Sequence, residues 1–138
     1  LMGGQRPSGF NKGYYYEPTV FDDVKDNFTI MKEEPFGPLV PILTFKTFDE
    51  VIERANDNDL GLCSYLYTNS MDKAHIGSEK LESGCVAVNT GVVAIAEAPF
   101  GGIKQTGYGR EGGSGAIKDY LNVKYTHMGL KIWINEKK

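Results

Sequence analysis

The sequence predicts an α/β fold built from parallel-sheet βαβ units. Short apolar runs alternate with helix-length amphipathic stretches between Leu39 and Gly91, at the spacing of strand–helix–strand crossovers. The run "CVAVNTG" from Cys85 is continuous enough for a strand covered on both faces. Seven of the 17 glycines fall between Gly101 and Gly115, in the loop after that run, and parallel sheets place their working loops at the carboxyl ends of strands.

Taken in order, Leu1 to Gly13 is a polar, glycine-rich loop, and "YYYEPTVFDDV" has the aromatic and β-branched residues of an extended strand. Pro18 keeps that strand short or at an edge. "KDNFTIMKEE" is irregular or a short helical turn, and Leu39 to Phe45 is a strand interrupted by Pro41. Thr47 and Glu50 have capping-box spacing and open a helix through "FDEVIERANDN", with Phe48, Val51, Ile52 and Ala55 on one apolar face. "GLCSYLYT" is the next strand. Ser70 caps a helix over "MDKAHIGSEKLESG" that Gly84 ends, and Cys85 begins the following strand. Beyond the glycine loop, "AIKDYLN" is a helical turn or two and "VKYTHMGLKIWI" a final strand. The sequence contains no internal repeat.

With 138 residues, 41% hydrophobic and 24% charged, the chain has the size and balance of one soluble globular domain. A net charge of -3 argues against a nucleic-acid partner. No apolar run approaches the roughly 20 residues of a membrane helix, and "LMGGQRPSG" has no signal-peptide pattern. Cys63 and Cys85 form neither a CxxC pair nor a disulfide framework. The expectation is two reduced, buried thiols in a cytoplasmic protein.

Gly107-x-Gly109-x-x-Gly112 matches the dinucleotide fingerprint in letters only. No strand directly precedes it and no βαβ unit follows, so its glycines shape a loop. His75 and His127 have no partner at ligand spacing, so no metal site is expected. Both cysteines sit in strand interiors, which suits packing better than nucleophilic attack. "KEEPFGPLVPIL", Lys32 to Leu43, is different. Glu33 is a solvated charge, but Pro35, Phe36 and Pro38 fix the backbone around Glu34. A carboxylate accepts two hydrogen bonds at once, which matches the paired hydroxyls of a ribose.

"GYYYEPTVFDDV", "EEPFGPLVPIL", "GLCSYLYTNSMDKAHIGSEKLESGCVAVNTG" and "APFGGIKQTGYGREGG" together resemble consecutive landmarks of the aldehyde dehydrogenases, over residues 3 to about 130. The ending from Gly109 is most similar to the succinate-semialdehyde dehydrogenase branch. The resemblance implies the C-terminal part of that family's catalytic domain over residues 1–121. Residues 122–138 would then hold a terminal oligomerisation strand and tail. It implies NAD or NADP as cofactor, an aldehyde as substrate, a homo-oligomer, and an upstream part of the same enzyme that carries the catalytic cysteine. No catalytic residue is expected in this chain, which should be inert alone.

In the family a cysteine thiolate attacks the aldehyde, hydride passes to NAD(P), and a glutamate-activated water hydrolyses the thioester. By the resemblance Glu34 holds the nicotinamide ribose, Phe36 packs beside it, and Phe100 borders the substrate tunnel. Gly101, Gly102, Gly107, Gly109, Arg110 and Glu111 would build the loop that closes the tunnel. Succinate-semialdehyde dehydrogenases often carry a serine where Ala94 stands. Losing that hydrogen bond to a charged substrate would cost about 1.5–3 kcal/mol. The competing reading is a non-catalytic α/β module that binds a nucleotide through its glycine loop or assembles through its last strand.

Overall fold

The structure is a computed structural model, and it describes residues 2–129. Its strands form three two-stranded pairs. Strand β1 (Thr19–Phe21) runs parallel to β2 (Leu39–Pro41), with Thr19 opposite Leu39. Between them, Thr29–Met31 makes one 3-10 turn. Helix α1 (Phe48–Asn56) follows, and then β3 (Leu60–Gly61) and β4 (Cys63–Leu66). Helix α2 (Met71–Lys80) crosses over to β5 (Cys85–Val88), which lies parallel to β4 with Cys63 opposite Cys85. Strand β6 (Ile103–Lys104) returns antiparallel to β3, and a second 3-10 turn covers Ala116–Tyr120.

Both predicted caps are present. The Thr47 hydroxyl accepts from the Glu50 N–H at 3.2 Å, and the Ser70 hydroxyl accepts from the Lys73 N–H at 3.3 Å. The Glu50 carboxylate reaches back one residue past the cap and accepts from the Lys46 N–H at 2.8 Å. Asn56 then ties the ends of the two helices together. Its Nδ2 donates to the Lys80 carbonyl at 2.8 Å, and its Oδ1 accepts from the Glu82 N–H at 2.9 Å.

Helix α2 sits close on β4 because residue 77 has no side chain. A Cβ on Gly77 would lie 2.5 Å from Leu66 Cδ2 and 3.3 Å from Phe48 Cζ. Among the described residues the buried hydrophobic side chains are few: Val24, Ile52 and Ala87. Thr19 is fully buried, and its hydroxyl is satisfied by the Gly4 N–H at 2.8 Å and the Glu17 carbonyl at 2.7 Å.

The structure departs from the sequence expectations at several points. The run "GLCSYLYT" divides, so that Gly61 pairs with β6 while Cys63 begins the pairing with β5. The strand expected to Phe45 is regular only to Pro41, although the Ile42 N–H still donates to the Phe21 carbonyl at 2.8 Å and the Val24 N–H to the Ile42 carbonyl at 3.3 Å. Gly84 does not end α2, which stops at Lys80 with Leu81 as its cap. Gly84 instead lets two backbones touch, since a Cβ there would collide with the Gly101 carbonyl. Within β5 only Ala87 is buried, and its neighbours are half-exposed. The final strand is not formed where it is described: residues 122–129 pair with nothing among the described residues, and the remainder lies outside them. A strand needs a neighbour to take up its backbone groups.

The chain exposes 11905 Å², whereas a compact monomer of its 15.2 kDa exposes roughly 7,100 Å² by area–mass scaling. Tyr14, Phe36, Tyr108 and Val123 are almost completely exposed.

Candidate functional site

After Glu33 and Glu34 the chain bends through two successive three-residue turns, from Pro35 to Leu39. The Gly37 N–H donates to the Pro35 carbonyl at 2.9 Å, and the Leu39 N–H donates to Gly37 at 2.8 Å. Pro35 and Pro38 contribute fixed φ and no donors. The Pro38 carbonyl accepts from the Thr19 N–H at 2.8 Å, which anchors the bend to β1.

Glu33, Glu34 and Pro35 line one side of a hollow of about 1370 Å³. Asn56 to Leu60, from the end of α1 to the start of β3, and Lys104, Gln105, Gly107 and Tyr108 also line it. Glu34 therefore shares a hollow with the glycine loop. Among the described residues, neither the Glu33 nor the Glu34 carboxylate has a hydrogen-bond or ion-pair partner, and both are exposed.

Of the three cations that line this hollow, Lys32, Arg54 and Lys104, the last two are engaged elsewhere. Arg54 donates to Asp26 Oδ1 at 2.9 Å, to the Thr44 carbonyl at 2.9 Å and to Glu50 Oε1 at 3.2 Å. The hydrogen bonds to Asp26 hold its pKa above the usual guanidinium value. The Glu50 carboxyl is held below its usual range, chiefly by the Lys46 N–H. Lys104 takes a left-handed φ of 54°. Its Nζ donates to the carbonyls of Asn56 at 2.8 Å and Asn58 at 2.9 Å and pairs with Glu82 at 2.7 Å. It thus caps the carbonyl end of α1, where a cation is favoured. Sequence reasoning passed over Lys104; the signal available was a lysine directly after the "FGGI" turn.

The other sequence candidates lie outside this hollow. Phe36 is 94% exposed on the bend. Ala94 is exposed on the loop after β5, and Phe100 is half-buried at its end. Phe100 and Glu111 exchange two backbone hydrogen bonds of 2.7 Å, and the Gly113 N–H donates to Ala96 at 2.9 Å. The glycine loop therefore folds back on the segment carrying Ala94 and Phe100. Arg110 fixes the fold-back: its guanidinium donates to the carbonyls of Gly102 at 2.9 Å and Gly109 at 2.7 Å, and its backbone N–H donates to Asp119 at 2.9 Å.

Gly107, Gly109 and Gly112 have φ of 119°, 86° and 65°, a turning loop followed only by the short 3-10 turn at Ala116. Among the described residues no group of three or more His, Cys, Asp or Glu is placed to hold a metal ion. No helix among them is long and apolar enough to cross a membrane.

A family model described as "Aldehyde dehydrogenase family" matches residues 1–126. The chain belongs to the aldehyde dehydrogenase family. It is 45% identical over 130 residues to the mitochondrial succinate-semialdehyde dehydrogenase of Arabidopsis thaliana, covering 94% of this chain and 24% of that protein. It is 45% identical over 118 residues to the NADP(+) succinate-semialdehyde dehydrogenase GabD of Escherichia coli, covering 86% of this chain and 24% of that one. The NAD+ complex of the P. syringae indole-3-acetaldehyde dehydrogenase AldA superposes with a TM-score of 0.87 at 39% identity, over 94% of this chain and 26% of that one.

This aldehyde dehydrogenase chain thus spans about a quarter of the length of the relatives it matches. Its α/β architecture with parallel strand pairs is that of the family, as the sequence pattern predicts.

Proposed function

We propose that the chain supplies the ribose-holding bend and part of the substrate wall of an NAD(P)-dependent aldehyde dehydrogenase, one that oxidises succinate semialdehyde or a similar aldehyde. The carrying observation is Glu34, directly before two tight turns, without a competing partner among the described residues, in a hollow shared with Gly107 and Tyr108. A carboxylate so placed fits a ribose, whose two hydroxyls it can accept together. When bound, NAD(P) supplies the hydride acceptor. Phe36 offers an exposed ring beside the bend.

On the substrate side, Phe100 is held by its paired bonds to Glu111 and borders the passage. Ala94 offers an acidic substrate no hydroxyl. Neither Cys63 nor Cys85 serves as the nucleophile in this reading. Both lie in strands, and burial, followed by the nearby Cys85 thiol, pushes the Cys63 thiol up. The attacking cysteine belongs to residues outside this chain, so the chain alone is expected to give no turnover.

The same reading divides the chain into a catalytic-domain portion, 1–121, and an oligomerisation segment, 122–138. Exposed Leu121, Val123 and Tyr125 alternate as they would on a strand awaiting a neighbour, which supports a homo-oligomer. A net charge of -3 fits a small-molecule rather than a nucleic-acid partner, and two free thiols fit a cytoplasmic setting without a membrane partner.

Grafting this chain into the Arabidopsis relative in place of its matching segment tests the proposal. The chimera should reduce NAD(P) with succinate semialdehyde, and the chain by itself should not. A chimera that assembles like its parent yet never reduces the cofactor would refute it.

A further inference from the structure

We propose that Cys63 and Cys85 form a thiol–disulfide exchange site, closing a reversible cross-link between β4 and β5 with a small disulfide of the glutathione class. The inference rests on the strand pairing and is independent of the dehydrogenase reading. The two cysteines, the only ones in the sequence, stand opposite each other in the β4–β5 register. Partners in register project to the same face, and adjacent strands lie about 4.7–4.9 Å apart. That separation falls inside the roughly 4.4–6.8 Å Cα range that a disulfide bridges. Both thiols are free and half-buried, so they are neither sealed in a core nor scattered on the surface.

The thiols differ in their surroundings. The Cys85 thiol is directed toward the Gly101 carbonyl at 3.8 Å. Burial and the neighbouring Cys85 raise the Cys63 thiol's pKa, leaving it with less thiolate at neutral pH. In this proposal Cys85 makes the first attack and Cys63 the resolving one. Its thiolate displaces one glutathione thiolate from oxidised glutathione and forms a mixed disulfide. The Cys63 thiolate then attacks the Cys85 sulfur and expels the second glutathione. One S–S bond breaks and one forms, two electrons pass to glutathione, and the two cysteine protons end on two reduced glutathiones. The cross-link removes the weak S–H contact that Cys85 makes with the Gly101 carbonyl.

The test equilibrates the chain grafted into the Arabidopsis relative with glutathione redox buffers, traps it with acid and quantifies the Cys63–Cys85 peptide by mass spectrometry, in buffer and in guanidinium chloride. The linked-to-reduced ratio gives the effective concentration of one thiol at the other. We expect it to be at least about tenfold higher in buffer, because the strands pre-align the pair. Cys63→Ser should stop at a glutathione adduct on Cys85. Equal effective concentrations in buffer and denaturant, a predominance of chain-to-chain disulfides, or a Cys63→Ser protein that takes up no glutathione would overturn the proposal.

Discussion

Asn89 grips both backbone polar groups of Thr68 from the end of the neighbouring strand. Its Oδ1 accepts from the Thr68 N–H at 2.9 Å and its Nδ2 donates to the Thr68 carbonyl at 2.9 Å. Asn89 also has a left-handed φ of 56°, a conformation that asparagine tolerates better than most residues. The carboxyl ends of β4 and β5 are locked together here, directly before the loop that carries Ala94 and Phe100. Asn89→Gly keeps the backbone accessible while deleting the clamp, and should cost about 1–2 kcal/mol for two exposed hydrogen bonds. Asn89→Ala adds the strain of φ > 0 and should cost more. Urea unfolding of both variants in the grafted enzyme reads the difference.

Glu34→Ala in the chimera should lower kcat/KM for the cofactor about 10- to 100-fold, the range for losing hydrogen bonds to a charged group. The KM for aldehyde should change much less. Steady-state kinetics with each substrate varied separates the two effects, and an unchanged cofactor dependence would remove Glu34 from the site.

Ala94→Ser should restore a donor on the substrate wall. The expected outcome is about a 10-fold or larger gain in kcat/KM for succinate semialdehyde over an uncharged aldehyde of similar length. Parallel gains on both substrates would show that residue 94 does not read the carboxylate.

Gly77→Ala sets two effects against each other. Alanine favours the helix by about 1 kcal/mol, but its Cβ would meet Leu66 at 2.5 Å and Phe48 at 3.3 Å. Overpacking of this kind typically costs about 1–3 kcal/mol, so a net loss is expected. A lower denaturant midpoint at unchanged m-value would report it.

Glu50 gives the first turn of α1 an acid dependence. Its folded-state pKa lies below the unfolded value, because the Lys46 N–H and then the surrounding Thr47 and Arg54 groups favour the carboxylate. The contribution is therefore fully present above the unfolded value of about 4.3 and disappears as pH falls through the lower folded value. Glu50→Gln should flatten the stability–pH curve on that acid side and leave it unchanged at neutral pH apart from a constant offset. Thermal unfolding between neutral and acid pH distinguishes the two shapes.

Much of the architecture was legible because local chemistry and tertiary packing agree. The hydroxyls of Thr47 and Ser70 cap the helices as their spacing predicts, and Ile52 is buried on the expected helix face. Ala55, from the same predicted stripe, is instead exposed at the rim of the hollow. Strand β6 was illegible because two residues inside a glycine loop carry no period. The Cys63–Cys85 pairing was hidden for another reason: register depends on which strands become neighbours, and a separation of 22 positions between the two cysteines says nothing about that. Of the candidate site, the proline-fixed bend could be read from composition, whereas the role of Lys104 at the end of α1 depends on a backbone angle no motif announces.

The near-complete exposure of Tyr14, Tyr108 and Val123 has a practical consequence for anyone handling this polypeptide. Such aromatic and aliphatic faces are what folding helpers in the cell capture and what dyes such as ANS light up. Produced on its own, the chain should be held by chaperones, cleared by proteases or driven into inclusion bodies. Co-production with the remaining three-quarters of a relative should turn that sticky surface into a buried seam and raise the soluble yield.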